Sequence, residues 1–198
     1  MSENKSRPIY KGLTVDGAAR RHLVAAEGEG ALAVVEAFSA HPDACSRMTL
    51  LYSPGGSAPQ NHAAALEALK PDALHLHPTH QTLMTRLNAL LDGAAMSTRI
   101  YAAGVEGFVG SVVSAAMARG VDHFAIRTEH RGSLARRVQC VHCKGFMENV
   151  TASPIVCAHC GVPLFVRDHY SRRLAAFQGV SIDAEAPGEV PAAEEFYK

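Results

Sequence analysis

Four of the five cysteines in this chain stand in two copies of one unit, Cys140-Val141-His142-Cys143 and Cys157-Ala158-His159-Cys160, with thirteen residues between them. Two residues between thiolates let the chain turn tightly enough to aim both sulfurs at one point, and two such turns complete a tetrahedral four-sulfur cage. Lys144-Gly145 and Gly161 follow the two pairs, where tight turns favour glycine. A closed zinc ribbon held by Cys140, Cys143, Cys157 and Cys160 is the first reading. A one-iron four-thiolate centre and a redox disulfide are the alternatives. Covalent haem attachment requires His directly after the second Cys, and Lys144 and Gly161 stand there instead.

Other reactive side chains form weaker patterns. His62, His75, His77 and His80 invite a second metal site, since His75 and His77 share one face of a strand, but no carboxylate supply accompanies them and strand-end histidines are the simpler reading. His142 and His159 occupy matching places inside the two Cys units, either donating N–H to the thiolates or facing solvent. Ser171 and His169 lack an acid partner and an oxyanion loop, so no hydrolase is expected. Cys45, after His41-Pro42-Asp43, reads as an ordinary thiol in a loop.

The elements that must position these groups are legible from apolar periodicity. Strand-length bursts at 23–26, 48–52, 73–76, 98–102 and 123–126 alternate with helical stretches at about 31–40, 60–70, 81–91 and 106–119. That alternation is the signature of an α/β fold with a parallel sheet and crossover helices. In the third helix Leu83, Leu87, Leu90 and Leu91 fall on one face, and Gly120 stands where the fourth helix needs a C-terminal cap. The expected layout is an N-terminal arm (1–20), the α/β domain (21–130), the zinc ribbon (131–166), and then a basic strip with an acidic extended tail (167–198). Arg167, Arg172 and Arg173 belong to the strip. Asp183, Glu185, Glu189, Glu194 and Glu195 belong to a tail interrupted by Pro187 and Pro191, expected to be either disordered or laid over a partner.

Nineteen basic and nineteen acidic side chains cancel. Net charge therefore gives no support to nucleic-acid binding or to an anionic membrane surface. Paired Cys units suit a reducing cytoplasm, Met1-Ser2-Glu3-Asn4-Lys5 carries no apolar signal, and no run is long enough to span a bilayer.

The stretch from Leu23 to Glu129 resembles the NAD(P)-binding domain of the ferredoxin-reductase superfamily. Glu27-Gly28-Glu29-Gly30-Ala31-Leu32-Ala33 is similar to that family's phosphate loop GGxGxTP, and Tyr101-Ala102-Ala103-Gly104-Val105-Glu106-Gly107-Phe108 to its strand-to-helix motif YxCGPxxF. The departures are pointed. Glu27 and Glu29 place negative charge where a pyrophosphate would sit, Leu32-Ala33 replaces Thr-Pro, Ala103 replaces the Cys near the nicotinamide, and Ser53-Pro54-Gly55-Gly56-Ser57 offers no arginine for a ribose phosphate. A degenerate, structural domain is the expectation. If NAD(P)H docking were retained, Gly28, Gly30, Gly104 and Glu129 would carry it.

The order of a reductase-like domain, a two-CxxC ribbon, His169-Tyr170-Ser171-Arg172-Arg173-Leu174 and a closing Asp183-Ala184-Glu185-Ala186-Pro187-Gly188-Glu189-Val190-Pro191 resembles the DmmA-type subunit of bacterial dimethylamine monooxygenase over essentially the whole chain. The resemblance implies a part in a multicomponent haem-dependent oxygenase that uses NAD(P)H and dioxygen to convert dimethylamine to methylamine and formaldehyde. It further implies haem on one partner subunit, and flavin with a [2Fe–2S] centre on a reductase partner. This chain itself carries no recognisable axial-ligand or plant-type ferredoxin motif. The implied role is assembly and electron-path geometry, with no catalytic residue here. NAD(P)H docking on this chain is the first alternative, and a nucleic-acid-binding ribbon with Arg131, Arg136, Arg137 and Lys144 around the metal is the second.

Overall fold

A computed structural model describes residues 6–55 and 61–197, which divide into two compact units, Tyr10–Gly132 and a second built from the segment before Tyr10 together with the chain from Ser133 onward. The first unit is the α/β domain. Its elements run β1 (Arg21–Glu27), α1 (Gly30–Phe38), a single turn α2 (Pro42–Cys45), β2 (Met48–Ser53), α3 (Ala63–Glu67), β3 (Ala73–Leu76), α4 (His80–Asp92), β4 (Thr98–Gly104), α5 (Glu106–Met117) and β5 (Ile126–His130). All five strands pair in parallel in the order β3-β2-β1-β4-β5. The reversal of order puts the switch point between β1 and β4.

Burial explains the arrangement. Along β1, Leu23 and Ala25 face one layer while Val24 and Ala26 face the other, and all four are buried. One layer joins Val34 and Phe38 of α1 to Leu66 of α3, with Leu13 and Val15 of the N-terminal arm packed against it. The other joins Leu83, Leu87 and Leu91 of α4 to Phe108, Val109 and Val112 of α5. A reciprocal capping box between Thr79 and Thr82 starts α4.

Two boundaries differ from the sequence expectation. Residues 123–125 form a 3₁₀ turn, because the Asp122 carboxylate accepts the Phe124 N–H at 2.8 Å, so the fifth strand begins only at Ile126. The expected helix at 60–70 is short. The Tyr52 hydroxyl accepts the His62 N–H at 3.1 Å, and positive φ at Lys70 ahead of Pro71 ends the segment, while Gln60 lies outside the described residues.

His22 on β1 is buried, its Nδ1 3.2 Å from the Tyr101 hydroxyl and its Nε2 without a hydrogen-bond partner. Loss of hydration, then the Arg47 charge, holds its pKa below 6.5, and loss of hydration does the same for His77. The unfolded chain binds these protons more readily, so the contribution to stability is intact above pH 6.5 and is lost as pH falls toward and through the folded values. Among the described residues all α-helices lie in this unit, so helical ellipticity reports on it. Its urea midpoint is expected to drop between pH 7.5 and 5.5 with unchanged slope; an unmoved midpoint would refute the assignment.

The second unit centres on a five-stranded sheet of order β7-β6-β11-β10-β9, from β6 (Arg136–Cys140), β7 (Phe146–Val150), β9 (Ile155–Val156), β10 (Pro163–Ser171) and β11 (Ala176–Ser181). Here the layout differs most from expectation. The basic strip is no linker: β10 runs through residue 171, turns over 172–175 and returns as β11, which pairs with β10 and with β6. Nor is the acidic tail wholly free. Its β12 (Glu194–Glu195) pairs with β8 (Ala152–Ser153), and the N–H groups of Phe196 and Tyr197 both donate to the Thr151 carbonyl. The Arg136 guanidinium lies between the rings of Phe177 and Tyr197, 3.9 and 3.8 Å from their centroids, and pairs with Asp168 at 2.7 Å, where Arg7 also bonds. The segment's apolar content is too small for a core of its own, but one ring placed on a buried guanidinium holds it to this unit.

Candidate metal centre and the strand-end crevice

The two Cys units fold as the same turn. The N–H of Lys144 donates to the Cys140 carbonyl and that of Gly161 to the Cys157 carbonyl, both at 2.9 Å. In return the Cys140 and Cys157 N–H groups donate to the carbonyls of Gly145 and Val162, again at 2.9 Å. The positive-φ position is residue 144 in one turn and Gly161 in the other. Lys144 takes it at φ 64°, its Nζ donating to the Val141 carbonyl at 2.6 Å. Gly145, which the sequence suggests as the turn residue, is glycine for another reason: a Cβ there would lie 2.7 Å from Cγ of the His159 ring. That ring crosses between the turns, its Nε2 2.8 Å from the Phe146 carbonyl. His159 therefore ties the turns together through a backbone oxygen and not through a thiolate.

Cys140, Cys143, Cys157 and Cys160 bring their sulfurs within 4.8 Å of one another, with Cys140–Cys160 at 3.8 Å and Cys143–Cys157 at 3.7 Å. Four sulfurs at the ~2.3 Å bond length of a tetrahedral zinc thiolate stand about 3.8 Å apart, so the spacing fits such an ion. The Gly145 N–H donates to the Cys143 sulfur at 3.4 Å. Burial pushes the Cys157 thiol up, but the N–H groups of His159 and Cys160 and the neighbouring thiols bring it down to about 6. At Cys160 the Val162 N–H favours the thiolate, yet loss of hydration and the crowding thiols push it up to about 12. Four thiolates this close need a cation between them. Among the described residues no other group of three or more His, Cys, Asp or Glu side chains converges in this way, so His62, His75, His77 and His80 form no second site.

The second candidate site is the crevice at the carboxyl ends of β1 and β4, where open parallel sheets bind ligands. Gly28, Gly30 and Gly104 do gather there, each for a reason internal to the fold. Gly28 holds φ 53° and donates its N–H to the Ser53 carbonyl at 2.9 Å. Gly30 opens α1 directly against β4: a Cβ would overlap the Ala103 carbonyl and fall 2.6 Å from Gly104 N. Gly104, at φ 152°, leaves room for Glu27 Cβ and the Phe108 ring, which a Cβ would meet at 3.2 and 3.1 Å. The N–H groups of Ala31 and Leu32 are turned back onto the carbonyls of Gly28 and Glu29.

The Glu27 side chain, 12 % exposed, occupies the crevice, with its Oε1 3.4 Å from His80 Nδ1. The His80 ring meets Phe108 edge-on at 5.4 Å. Glu129, beside Ala103 in the sheet register, accepts the Leu13 N–H at 2.9 Å and the Arg131 Nε–H at 2.7 Å, fastening the N-terminal arm. The sequence singled out the charge of Glu27 but not its partner. His80 was visible only as a strand-end histidine, and nothing in its spacing pointed across to β1. A shallow cleft of about 220 Å³, lined by Tyr52, Pro54, Asn61, Leu76, His77 and Pro78, lies at the ends of β2 and β3. Residues 56 and 57, where a ribose-phosphate arginine would be sought, lie outside the described residues.

A parallel sheet of order 3-2-1-4-5 and a four-cysteine sheet module together define an α/β chain with a candidate metal site. The family model described as dimethylamine monooxygenase subunit DmmA-like, N-terminal domain, matches residues 2–126, and the corresponding C-terminal domain matches residues 137–180. The chain belongs to this DmmA-like family. It is 33 % identical over 144 residues to the heme-dependent oxidative N-demethylase delta subunit of Ectopseudomonas mendocina (strain ymp), covering 70 % of this chain and 81 % of that protein. Among solved structures it is similar to a ferredoxin reductase in carbazole 1,9a-dioxygenase (FAD apo form), at 17 % identity and a TM-score of 0.45, over 59 % of this chain and 34 % of that one. It is also similar to the flavohem-like FAD/NAD-binding domain of nitric oxide dioxygenase from Vibrio cholerae O1 biovar El Tor, at 19 % identity and a TM-score of 0.41, over 63 % of this chain and 56 % of that one. The chain thus spans about a third and just over half of the solved chains it matches. Among the described residues no helix is long and apolar enough to cross a membrane.

Proposed function

We propose that this chain is a non-catalytic subunit of a haem-dependent dimethylamine monooxygenase, holding the haem-bearing and the electron-donating subunits in register. The reaction takes one methyl group from dimethylamine with NAD(P)H and dioxygen and releases methylamine, formaldehyde and water. Haem, flavin and iron–sulfur chemistry belong to the partner subunits. Zinc, held by Cys140, Cys143, Cys157 and Cys160, would supply a closed, redox-silent crosslink.

The observation that carries the scaffold reading is the Glu27 carboxylate beside His80 in the switch-point crevice. A pyrophosphate needs free backbone N–H groups and no fixed negative charge, and here Glu27 fills the crevice while the Gly28, Ala31 and Leu32 N–H groups are already bonded. Gly28, Gly30, Gly104 and Glu129 are accordingly read as packing and fastening residues. Calorimetric titration of the purified chain with NADH and with NADPH at low salt is expected to give no saturable heat below about 1 mM, equivalent to about −4 kcal/mol or weaker. Micromolar binding abolished by Gly28→Val would replace this reading with NAD(P)H docking. A balanced charge, with seven basic and seven acidic side chains over residues 133–198, weighs against the nucleic-acid alternative.

A further inference from the structure

The five-stranded sheet of the second unit has one face committed to its core and one face that is not. Leu164 and Val166 of β10 are buried, so Phe165 and Arg167 between and after them point to the opposite face, and both are exposed. Register places Val180 of β11 directly beside Phe165, and Val156 of β9 beside Pro163, on that same outer face. Val156 is 69 % and Phe165 45 % exposed, which makes a continuous apolar strip across three strands.

Arg7 and Arg136 both pair with Asp168, and Arg137 pairs with Glu148. Arg167, on the strip, and Arg172, in the turn that follows β10, are exposed and have no acidic partner among the described residues. An aromatic anchor flanked by guanidinium groups is the composition that carries most of the binding energy in protein interfaces.

We propose that this outer face of β9, β10 and β11, with Phe165 as its anchor, Arg167 beside it and Arg172 in the turn that follows β10, docks an acidic protein surface that presents carboxylates around an apolar depression. The inference rests on the complex-subunit reading above and assigns the occupant to another subunit of the demethylase. A second copy of this chain is disfavoured, since a two-fold contact through the strip would bring like guanidinium charges together. Nucleic acid is disfavoured because residues 133–198 carry seven basic and seven acidic side chains.

The test uses the full-length chain and the haem-bearing and electron-donating subunits of the same demethylase, each purified, with association followed by calorimetry and light scattering. Wild type is expected to bind one of them with an affinity that falls as salt rises. Phe165→Asp is expected to raise Kd by at least about 30-fold. Arg167→Glu with Arg172→Glu is expected to weaken binding and flatten the salt dependence. Unchanged metal content and circular dichroism show that the variants fold, and Phe165→Tyr, which keeps the ring, is expected to bind like wild type. Wild-type binding that these variants leave intact overturns the docking surface alone. Failure of wild type to bind either subunit overturns the complex reading and the surface with it. A monomer–dimer equilibrium abolished by Phe165→Asp, or binding of a DNA or RNA oligonucleotide abolished by the charge reversals, assigns the face to another occupant and overturns the proposal.

Discussion

Replacing Cys140 or Cys160 with Ser is expected to remove the bound metal and unfold the ribbon unit, while the α/β unit keeps its helices and its own cooperative transition. Structural zinc contributes about 10 kcal/mol or more to the folding of small modules of this kind, so one lost thiolate removes most of what holds such a module together. The α/β unit has two buried apolar layers that include no cysteine of the four, whereas Cys140 and Cys157 are themselves core residues of the ribbon. Wild type should carry about one zinc per chain and be colourless, because a closed four-thiolate zinc site has no redox chemistry. Amide exchange resolved by unit is the direct measurement. Loss of zinc with the ribbon amides still protected and the monooxygenase fully active would remove the metal from the architecture, and a coloured, reducible protein with one iron would replace zinc with iron.

The second large effect is expected at Gly30. Gly30→Val puts side-chain carbon where the Ala103 carbonyl and the Gly104 nitrogen already are. Those atoms belong to β4, which is paired on both sides by β1 and β5 and cannot retreat. Backbone-on-backbone overlap of this kind belongs to the extreme tail of point-mutant effects, about 5 kcal/mol, enough to leave a domain of this size largely unfolded. At Gly28 the requirement is a left-handed conformation at φ 53°, so Gly28→Asn, a residue that tolerates it, should cost only about 1 kcal/mol. Urea unfolding of the two variants separates the roles. If both glycines were interchangeable members of a phosphate loop, the two substitutions would cost alike and Gly30→Val would spare the fold.

The parallel sheet was legible because its strands are short, apolar and separated by amphipathic stretches, and four of the five expected strands begin within two residues of where they stand. The convergence of the four cysteines was legible because two residues between thiols leave the chain few other geometries. Two things were not. The pairing of β10 with β11 was hidden because Arg167, Asp168 and His169 make β10 read as a polar strip, and what makes it a strand is burial of Leu164 and Val166 in one cluster with Val138 and Met147, far away in sequence. The attachment of 194–197 rests on pairing with β8 and on Tyr197 against Arg136, 61 positions earlier, and a lone tyrosine beside acidic residues gives no local sign of that contact. In the crevice, the glycines were read as remnants of a phosphate loop, whereas Gly30 answers to backbone packed on backbone and Gly104 to the approach of Glu27 and Phe108, which no linear pattern displays.

Ser6 lies beside His169, its N–H donating to the Asp168 carbonyl, so residues 6–9 belong to the same unit as the four cysteines. The α/β unit is therefore an uninterrupted insertion, bounded by two segments of one host, and the host's sheets are completed only when β11 and β12 have been made. On the ribosome the insertion can close its sheet first, with the thiols of residues 140–160 still to come. If the four cysteines hold a metal, its capture is a late event in the birth of this chain, and a cell short of the ion would accumulate molecules whose α/β unit is finished and whose remainder is not.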